Sequence, residues 1–276
     1  MFSPYYRLAH ARGRGDANNH VALNVALYGQ DARRWAMTER GRGQLQRSAH
    51  ELAIGPSRVH WDGQSVRIDI DELGMPLPRR VRGQVRVHPH GLCNFVAPLD
   101  ANARHRWGPI APCARIEVDL DQPSLHWRGH AYLDSNEGDE PVDRAFREWD
   151  WSRALLADGS TAVVYDVRER GAGAATSPRL IAQRFATDGR SEAFAPPPRH
   201  TLPRSAWRIE RATRGDAGTP ARVLHTLEDT PFYARSLVSC GLLGERVTAM
   251  HESLNVPRLV SLPVQCMLPC RMPRRA

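Results

Sequence analysis

The run Ser57-Arg58-Val59-His60-Trp61-Asp62-Gly63-Gln64-Ser65-Val66-Arg67-Ile68-Asp69-Ile70-Asp71 decides the fold class of this chain. Val66, Ile68 and Ile70 alternate with Arg67, Asp69 and Asp71, so one face of the segment is apolar and the other charged. Alternation with a period of two marks a half-buried β-strand, and Asp-Gly between two such runs marks a hairpin. The pattern recurs along the chain. Residues 162–167 follow Asp158-Gly159 and pair naturally with the run beginning at Trp149, while residues 180–185 and 192–194 flank Asp188-Gly189. Helical candidates are confined to residues 31–35 and 231–237, both short. Evenly spaced strands without intervening helices predict an all-β sandwich or barrel.

At 276 residues, 41% hydrophobic and 25% charged, the chain is long enough for one large domain or two ordinary ones, each with its own core. A polar, turn-rich stretch, Glu137-Gly138-Asp139-Glu140-Pro141, precedes a fresh strand series at Trp149-Asp150-Trp151. A boundary near residue 145 is therefore expected, dividing the chain into 1–144 and 145–276. Trp149 and Trp151 share a strand face and are expected to close the junction between the halves. The formal charge of +8 raises nucleic acid as a partner, yet all 38 basic residues are arginines scattered along the sequence. A nucleic-acid footprint gathers its cations into a patch or arm, so no such partner is expected. No apolar run of about 18 residues exists to span a bilayer. Met1-Phe2-Ser3-Pro4-Tyr5-Tyr6 lacks the apolar core and cleavage site of a secretory signal, which predicts a cytoplasmic setting. The odd, irregularly spaced set Cys93, Cys113, Cys240, Cys266 and Cys270 argues for a reducing compartment. Cys266 and Cys270 lack a CxxC pair or companion histidines, so no metal site is expected.

One strand is chemically unusual. In Leu125-His126-Trp127-Arg128-Gly129-His130-Ala131-Tyr132-Leu133-Asp134-Ser135 the odd positions resemble an ordinary core face. The even positions form a row of His126, Arg128, His130, Tyr132 and Asp134. On pattern alone that row is either a solvated surface or the polar lining of a barrel cavity ending in a carboxylate. Asp134 by itself also reads as a strand-end cap for the following turn. Glu137, Asp139 and Glu140 sit too close together for a glycosidase pair and read as solvated or arginine-paired.

The run Tyr132-Leu133-Asp134-Ser135-Asn136-Glu137-Gly138-Asp139-Glu140-Pro141, followed by Trp149-Asp150-Trp151-Ser152-Arg153-Ala154, closely resembles the carotenoid 1,2-hydratases (hydroxyneurosporene synthases) of phototrophic bacteria. So do Phe2-Ser3-Pro4-Tyr5-Tyr6, Trp35-Ala36-Met37-Thr38-Glu39-Arg40-Gly41, Leu227-Glu228-Asp229-Thr230-Pro231-Phe232-Tyr233 and Met267-Leu268-Pro269-Cys270-Arg271-Met272-Pro273. The resemblance covers essentially the whole chain. It implies two lipocalin-like (calycin) antiparallel β-barrels, the first carrying the site residues. It further implies a hydro-lyase that adds water, without cofactor or metal, to the terminal C1–C2 double bond of an acyclic carotenoid such as neurosporene or lycopene. The family's essential aspartate falls on Asp134, its tyrosine on Tyr132, and its His-x-Trp pair on His105 and Trp107.

Such chemistry needs a strong, positioned, dry acid to protonate C2, leaving a tertiary cation at C1 for water to capture. Asp134 is expected to supply the proton, with His105 and Tyr132 orienting it or positioning the water and Trp107 facing the cation. His105 could instead accept the proton lost by the attacking water. Family members typically carry a further N-terminal segment before Phe-Ser-Pro-Tyr-Tyr, so the first barrel is expected to lack opening strands. Because a C40 polyene resides in lipid, peripheral contact with the inner photosynthetic membrane is expected. The rival readings are a non-catalytic lipocalin-like binder of a carotenoid or other apolar ligand, and a related terpenoid cyclase or isomerase.

Overall fold

The Asp62-Gly63 turn forms as predicted, pairing Ser57–Trp61 antiparallel with Val66–Leu73 and placing Val59 opposite Ile68. Asp62 accepts hydrogen bonds from the backbone of Gln64 and Ser65 at 2.9 and 2.6 Å, and Gly63 takes φ +92°, a conformation that a Cβ would disfavour. A computed structural model describes residues 3–29, 32–171 and 179–275 of the chain. In it the hairpin belongs to an antiparallel meander ordered Leu45–Arg47, Glu51–Ile54, Ser57–Trp61, Val66–Leu73, Arg80–Pro89, His105–Gln122 and Ser124–Gly138. A second antiparallel sheet is ordered Ser191–Ala193, Arg179–Phe185, Thr161–Glu169, Phe146–Leu155, Glu245–Asn255, Tyr233–Leu242 and Arg222–Asp229. Both hairpins expected at Asp158-Gly159 and Asp188-Gly189 are present, with Trp151 opposite Tyr165 and Arg184 opposite Glu192.

The compact units do not divide near residue 145. One comprises Met1–Pro89, Ala114–Ala131 and Gln265–Ala276, and the other His90–Cys113 and Tyr132–Val264. The physical reason is the long hairpin: His105–Gln122 and Ser124–Gly138 each contribute one end to each unit, so the chain passes between units inside strands rather than through a linker. The polar stretch at 137–141 is thus a surface turn of the second unit. His105, Trp107, Tyr132 and Asp134 all fall in that unit, not in a domain spanning 1–144.

The first unit buries Ala36, Ile70, Val81, Val118 and Leu120, together with a bidentate Arg40–Glu72 ion pair at 3.0 and 2.9 Å that Ser57 completes with a bond to Glu72. The second unit has an aromatic core containing Trp107, Phe146, Trp151, Tyr165 and Phe185. Trp149 and Trp151 pack into this core rather than at a junction. Residues 231–237 are not helical: most lie in Tyr233–Leu242, where cross-strand pairing outweighs local preference. Trp35 lies in the Arg34–Met37 strand, and residue 31 is outside the described residues. Helices do form at Pro4–Ala11, capped by the Ser3 hydroxyl with proline in the first turn, and at Leu262–Arg271. The Ser3-Pro4 pair is a helix-start signal that the strand pattern overshadows.

Candidate active site

The polar face of the Ser124–Gly138 strand changes character along its length. His126, Arg128 and His130 are exposed, whereas Tyr132 and Asp134 enter the second unit and are largely buried. Strand alternation puts both on one face, and the fold supplies the rest of their surroundings. Trp107, from the adjacent His105–Gln122 strand and 0% exposed, donates from Nε1 to Asp134 Oδ2 at 2.8 Å. The Tyr132 hydroxyl donates to the same oxygen at 3.2 Å. Both donors converge on Oδ2, so Oδ1 is the oxygen on which a proton can sit without a competing side-chain donor.

Aromatic rings enclose this carboxyl. Trp107 meets Phe95, Tyr165 and Phe185 with ring centroids at 5.9, 5.8 and 6.2 Å, all near perpendicular, and Tyr132 rests 5.6 Å from Trp151. Arg153 lies over the Tyr132 ring at 5.2 Å. Burial pushes the Asp134 carboxyl above the ordinary carboxylate range; the bonds from Trp107 and Tyr132 and the Arg153 charge oppose this without reversing it. Burial likewise raises Tyr132 far above the usual phenol range, so its hydroxyl remains a donor. Burial lowers Arg153, while the neighbouring Tyr132 and Asp134 favour its charge. The result is a carboxyl whose protonated form is favoured by burial, with two hydrogen bonds and a nearby cation ready for its conjugate base. That arrangement suits proton donation to a weakly basic carbon.

His105 is not brought to this carboxyl. It is 4% exposed, with Nδ1 3.0 Å from Asp100 Oδ2 and Nε2 3.0 Å from the Glu140 carbonyl oxygen. Burial pushes Asp100 up, but bonds from the backbone of His105, Arg104 and Asn102 and from the His105 ring outweigh it and hold the carboxyl below its usual range. Asp100 is therefore ionised and accepts at Nδ1, while a carbonyl can only accept at Nε2. Asp100 thus occupies the Nδ1 side of the ring and a carbonyl oxygen the Nε2 side, so both ring nitrogens are engaged away from Asp134. His105 joins the 100–105 turn to the 138–140 turn, and its ring meets Phe146 edge-on with centroids 4.6 Å apart. Gly138 makes room for it, since a Cβ there would lie 2.7 Å from His105 Cδ2. The acidic turn is arginine-paired as expected, Arg104 to Glu140 at 2.9 Å and Arg106 to Asp139 at 3.2 Å.

Sequence reasoning missed Asp100, Arg153 and the aromatic enclosure. A signal existed for Arg153, which shares the alternating face of Trp149 and Trp151. Nothing local marks Asp100, Phe95 or Phe185, which reach the site through turns and other strands.

Comparison with known proteins bears on the family and the fold. The family model described as carotenoid hydratase CrtC matches residues 1–276. The acyclic carotenoid 1,2-hydratase of Rubrivivax gelatinosus is 60% identical over 278 residues, covering 100% of this chain and 68% of that protein. The protein of the same name from Thiocapsa roseopersicina is 53% identical over 276 residues, covering 99% and 67%. A crystal structure from Nitrosomonas europaea assigned as AttH superposes with a TM-score of 0.57 at 15% identity, covering 79% of this chain and 74% of its own. That likeness bears on fold alone and agrees with an all-β, lipocalin-like (calycin) architecture. With a family match along its entire length and relatives of this identity, the chain belongs to the CrtC carotenoid hydratase family.

Proposed function

We propose that this chain is an acyclic carotenoid 1,2-hydratase, a hydro-lyase that adds water across the terminal C1–C2 double bond of substrates such as neurosporene and lycopene, with Asp134 as the acid. The observation that carries the site assignment is the buried Asp134 carboxyl, with Trp107 and Tyr132 both donating to Oδ2. An apolar-ligand carrier has no use for a desolvated acid equipped to stabilise its own conjugate base.

Asp134 Oδ1–H protonates C2, and the electron pair of the double bond forms the new C–H bond. The tertiary cation left at C1 faces the carboxylate and the surrounding aromatic rings, an arrangement worth about 2 kcal/mol per well-placed face when desolvated. Water attacks C1, and the proton it loses returns to Asp134, so one carboxyl serves as acid and then as base and no second base is required. An ordinary aspartic acid would be protonated about one part in a thousand at pH 7, a penalty of about 4 kcal/mol that burial reduces. Nothing in this sequence of steps calls on a cofactor.

The reading also places the protein at a membrane surface, because a C40 polyene dissolves in lipid and not in water. No helix among the described residues is long and apolar enough to cross a membrane, so the proposed contact is peripheral, on the cytoplasmic side of the inner membrane. The segment 92–96 favours one face: Leu92 and Val96 are 54% and 61% exposed, while Phe95 between them packs against Trp107. The test of the assignment is Asp134→Asn assayed with detergent-dispersed lycopene. Complete loss of the 1-hydroxy product in a soluble, folded variant is expected; retained turnover would remove Asp134 as the acid.

A further inference from the structure

One row of the second sheet carries charge across a face that is otherwise aromatic and aliphatic. Register places Tyr165 opposite Trp151, Trp151 opposite Glu252 and Glu252 opposite Arg235. The four side chains therefore share one face, with Arg153 two residues beyond Trp151 on the same side. This face reaches the acid. Trp151 lies 5.6 Å from the Tyr132 ring, Tyr165 5.8 Å from Trp107, and Arg153 5.2 Å from the centre of the Tyr132 ring. Exposure rises along the row. Trp151 and Tyr165 are buried, whereas the Glu252 and Arg235 side chains are 23% and 29% exposed, so the row runs from the neighbourhood of Asp134 toward solvent.

A hydrocarbon cannot pair with any of these charges, and holding them half-buried costs free energy. Their hydrogen-bonding capacity is not used up within the protein. Glu252 meets Arg235 Nη2 at 2.7 Å, and a carboxylate offers about four acceptor positions, more than that contact fills. Arg153 has no hydrogen bond or ion pair among the described residues, so its guanidinium donors are unclaimed. On the same face Trp151 Nε1 is buried without a protein partner. Both carboxyl groups bear on the same neighbours. Burial lowers Arg153 while Tyr132, Asp134 and Glu252 favour its charge, and burial raises Tyr165 with Glu252 and Asp134 pushing the same way. Hydration needs one water held beside C1 when the cation forms, and a polyene brings none. The polar reactant that this charged wall fits is water.

We propose that Arg153 and Glu252 hold the attacking water: an Arg153 N–H donates to its oxygen, one of its O–H groups donates to Glu252, and the other is directed to the Asp134 carboxylate. The remaining lone pair on oxygen is left for C1. When that pair forms the C1–O bond, the O–H facing Asp134 breaks and its proton returns to the carboxylate, while the other hydrogen stays as the hydroxyl of the product. Arg235 braces Glu252 and touches no reactant, so it is a positioning residue. The inference rests on the reading of Asp134 as the acid and adds the groups that hold the nucleophile.

Turnover of detergent-dispersed lycopene in D2O separates capture of the cation from its formation. Asp134 delivers deuterium to C2, and a cation that meets no water loses the original C2 proton to the carboxylate and returns as lycopene deuterated at C2. Glu252→Gln should lower formation of the 1-hydroxy product about 10- to 100-fold, the rate equivalent of one charged hydrogen bond. Deuterium at C2 of the recovered lycopene should at the same time rise above the wild-type level. Arg235→Gln, which leaves the carboxylate in place but unbraced, should shift the same ratio in the same direction by less, and it reports on the site even if Glu252→Gln fails to fold. Unchanged hydration in the folded variants, or a fall in hydration without the rise in deuterated lycopene, would overturn the proposal. Failure of Asp134 as the acid shows separately, as hydration or exchange retained in Asp134→Asn.

Discussion

At the level of single residues, the aspartate at the centre of the site is governed by opposing influences that can be removed one at a time. Trp107→Phe deletes a hydrogen bond to a carboxylate, worth about 1.5–3 kcal/mol, and should lower kcat by roughly 10- to 100-fold. The same change withdraws a donor that favours the ionised form, so the Asp134 pKa should rise further and the alkaline limb of the kcat profile should move to higher pH. A limb that stayed in place would mean that Trp107 acts only through packing. Elsewhere in the unit, Asp150 and His251 have opposite linkage to stability. Burial holds Asp150 up at about 7 against an ordinary 3.8, so the native state keeps a proton that the unfolded chain releases, and stability falls between about pH 4 and 7. Burial holds His251 down at about 4 against 6.5, so the unfolded chain binds the extra proton and stability rises between about pH 4 and 6.5. At about 1.4 kcal/mol per pKa unit the two amount to about 4 and 3 kcal/mol and nearly cancel. Urea unfolding across this range should therefore show a small slope in the wild type, a rising one in Asp150→Asn and a falling one in His251→Gln. Parallel curves for the two variants would show that neither group is perturbed as the structure implies.

Among elements, the paired turns at 100–105 and 138–140 decide how the two site strands meet. Asp100 is tied down by three backbone N–H groups and by His105, whose other nitrogen reaches across to Glu140. Replacing His105 by Gln disturbs the ring contacts to the buried Asp100 carboxylate and to the Glu140 carbonyl and should cost about 1–3 kcal/mol of stability, read by denaturant unfolding. Activity per folded molecule should fall far less than in Asp134→Asn; equal losses would return His105 to the catalytic machinery. Gly138→Ala should displace the same ring, because its Cβ would meet His105 Cδ2 at 2.7 Å. The strands themselves were legible beforehand, since alternation and Asp-Gly turns are local properties. The tie between the turns was not, because Asp100 and Glu140 are 40 positions apart and no period connects them.

For the molecule as a whole, the charge of +8 gains a physical setting if the substrate is collected from lipid, with each surface cation near anionic headgroups contributing about 1 kcal/mol. Vesicle co-sedimentation should then weaken with salt and strengthen with anionic lipid, and Leu92→Asp/Val96→Asp should reduce it at least tenfold while sparing turnover of detergent-dispersed lycopene. Binding that ignored salt, lipid charge and both substitutions would leave the arginines as compositional bias. The sequence by itself determined the all-β class, the hairpin order and the coincidence of Tyr132 and Asp134 on one strand face, because each follows from a period of two and from turn chemistry confined to a few residues. Family resemblance added His105, with its role open between orienting the acid, positioning water and accepting a proton, and Trp107, expected to face the cation. Only the tertiary structure decided that Trp107 bonds Asp134 while His105 bonds Asp100, that the division between the compact units falls inside the long hairpin, and that Arg153 lies over the Tyr132 ring. Those outcomes depend on burial and on partners brought from distant strands, and the energies that assign a proton to a carboxyl or an imidazole are set by those surroundings rather than by neighbours in the chain.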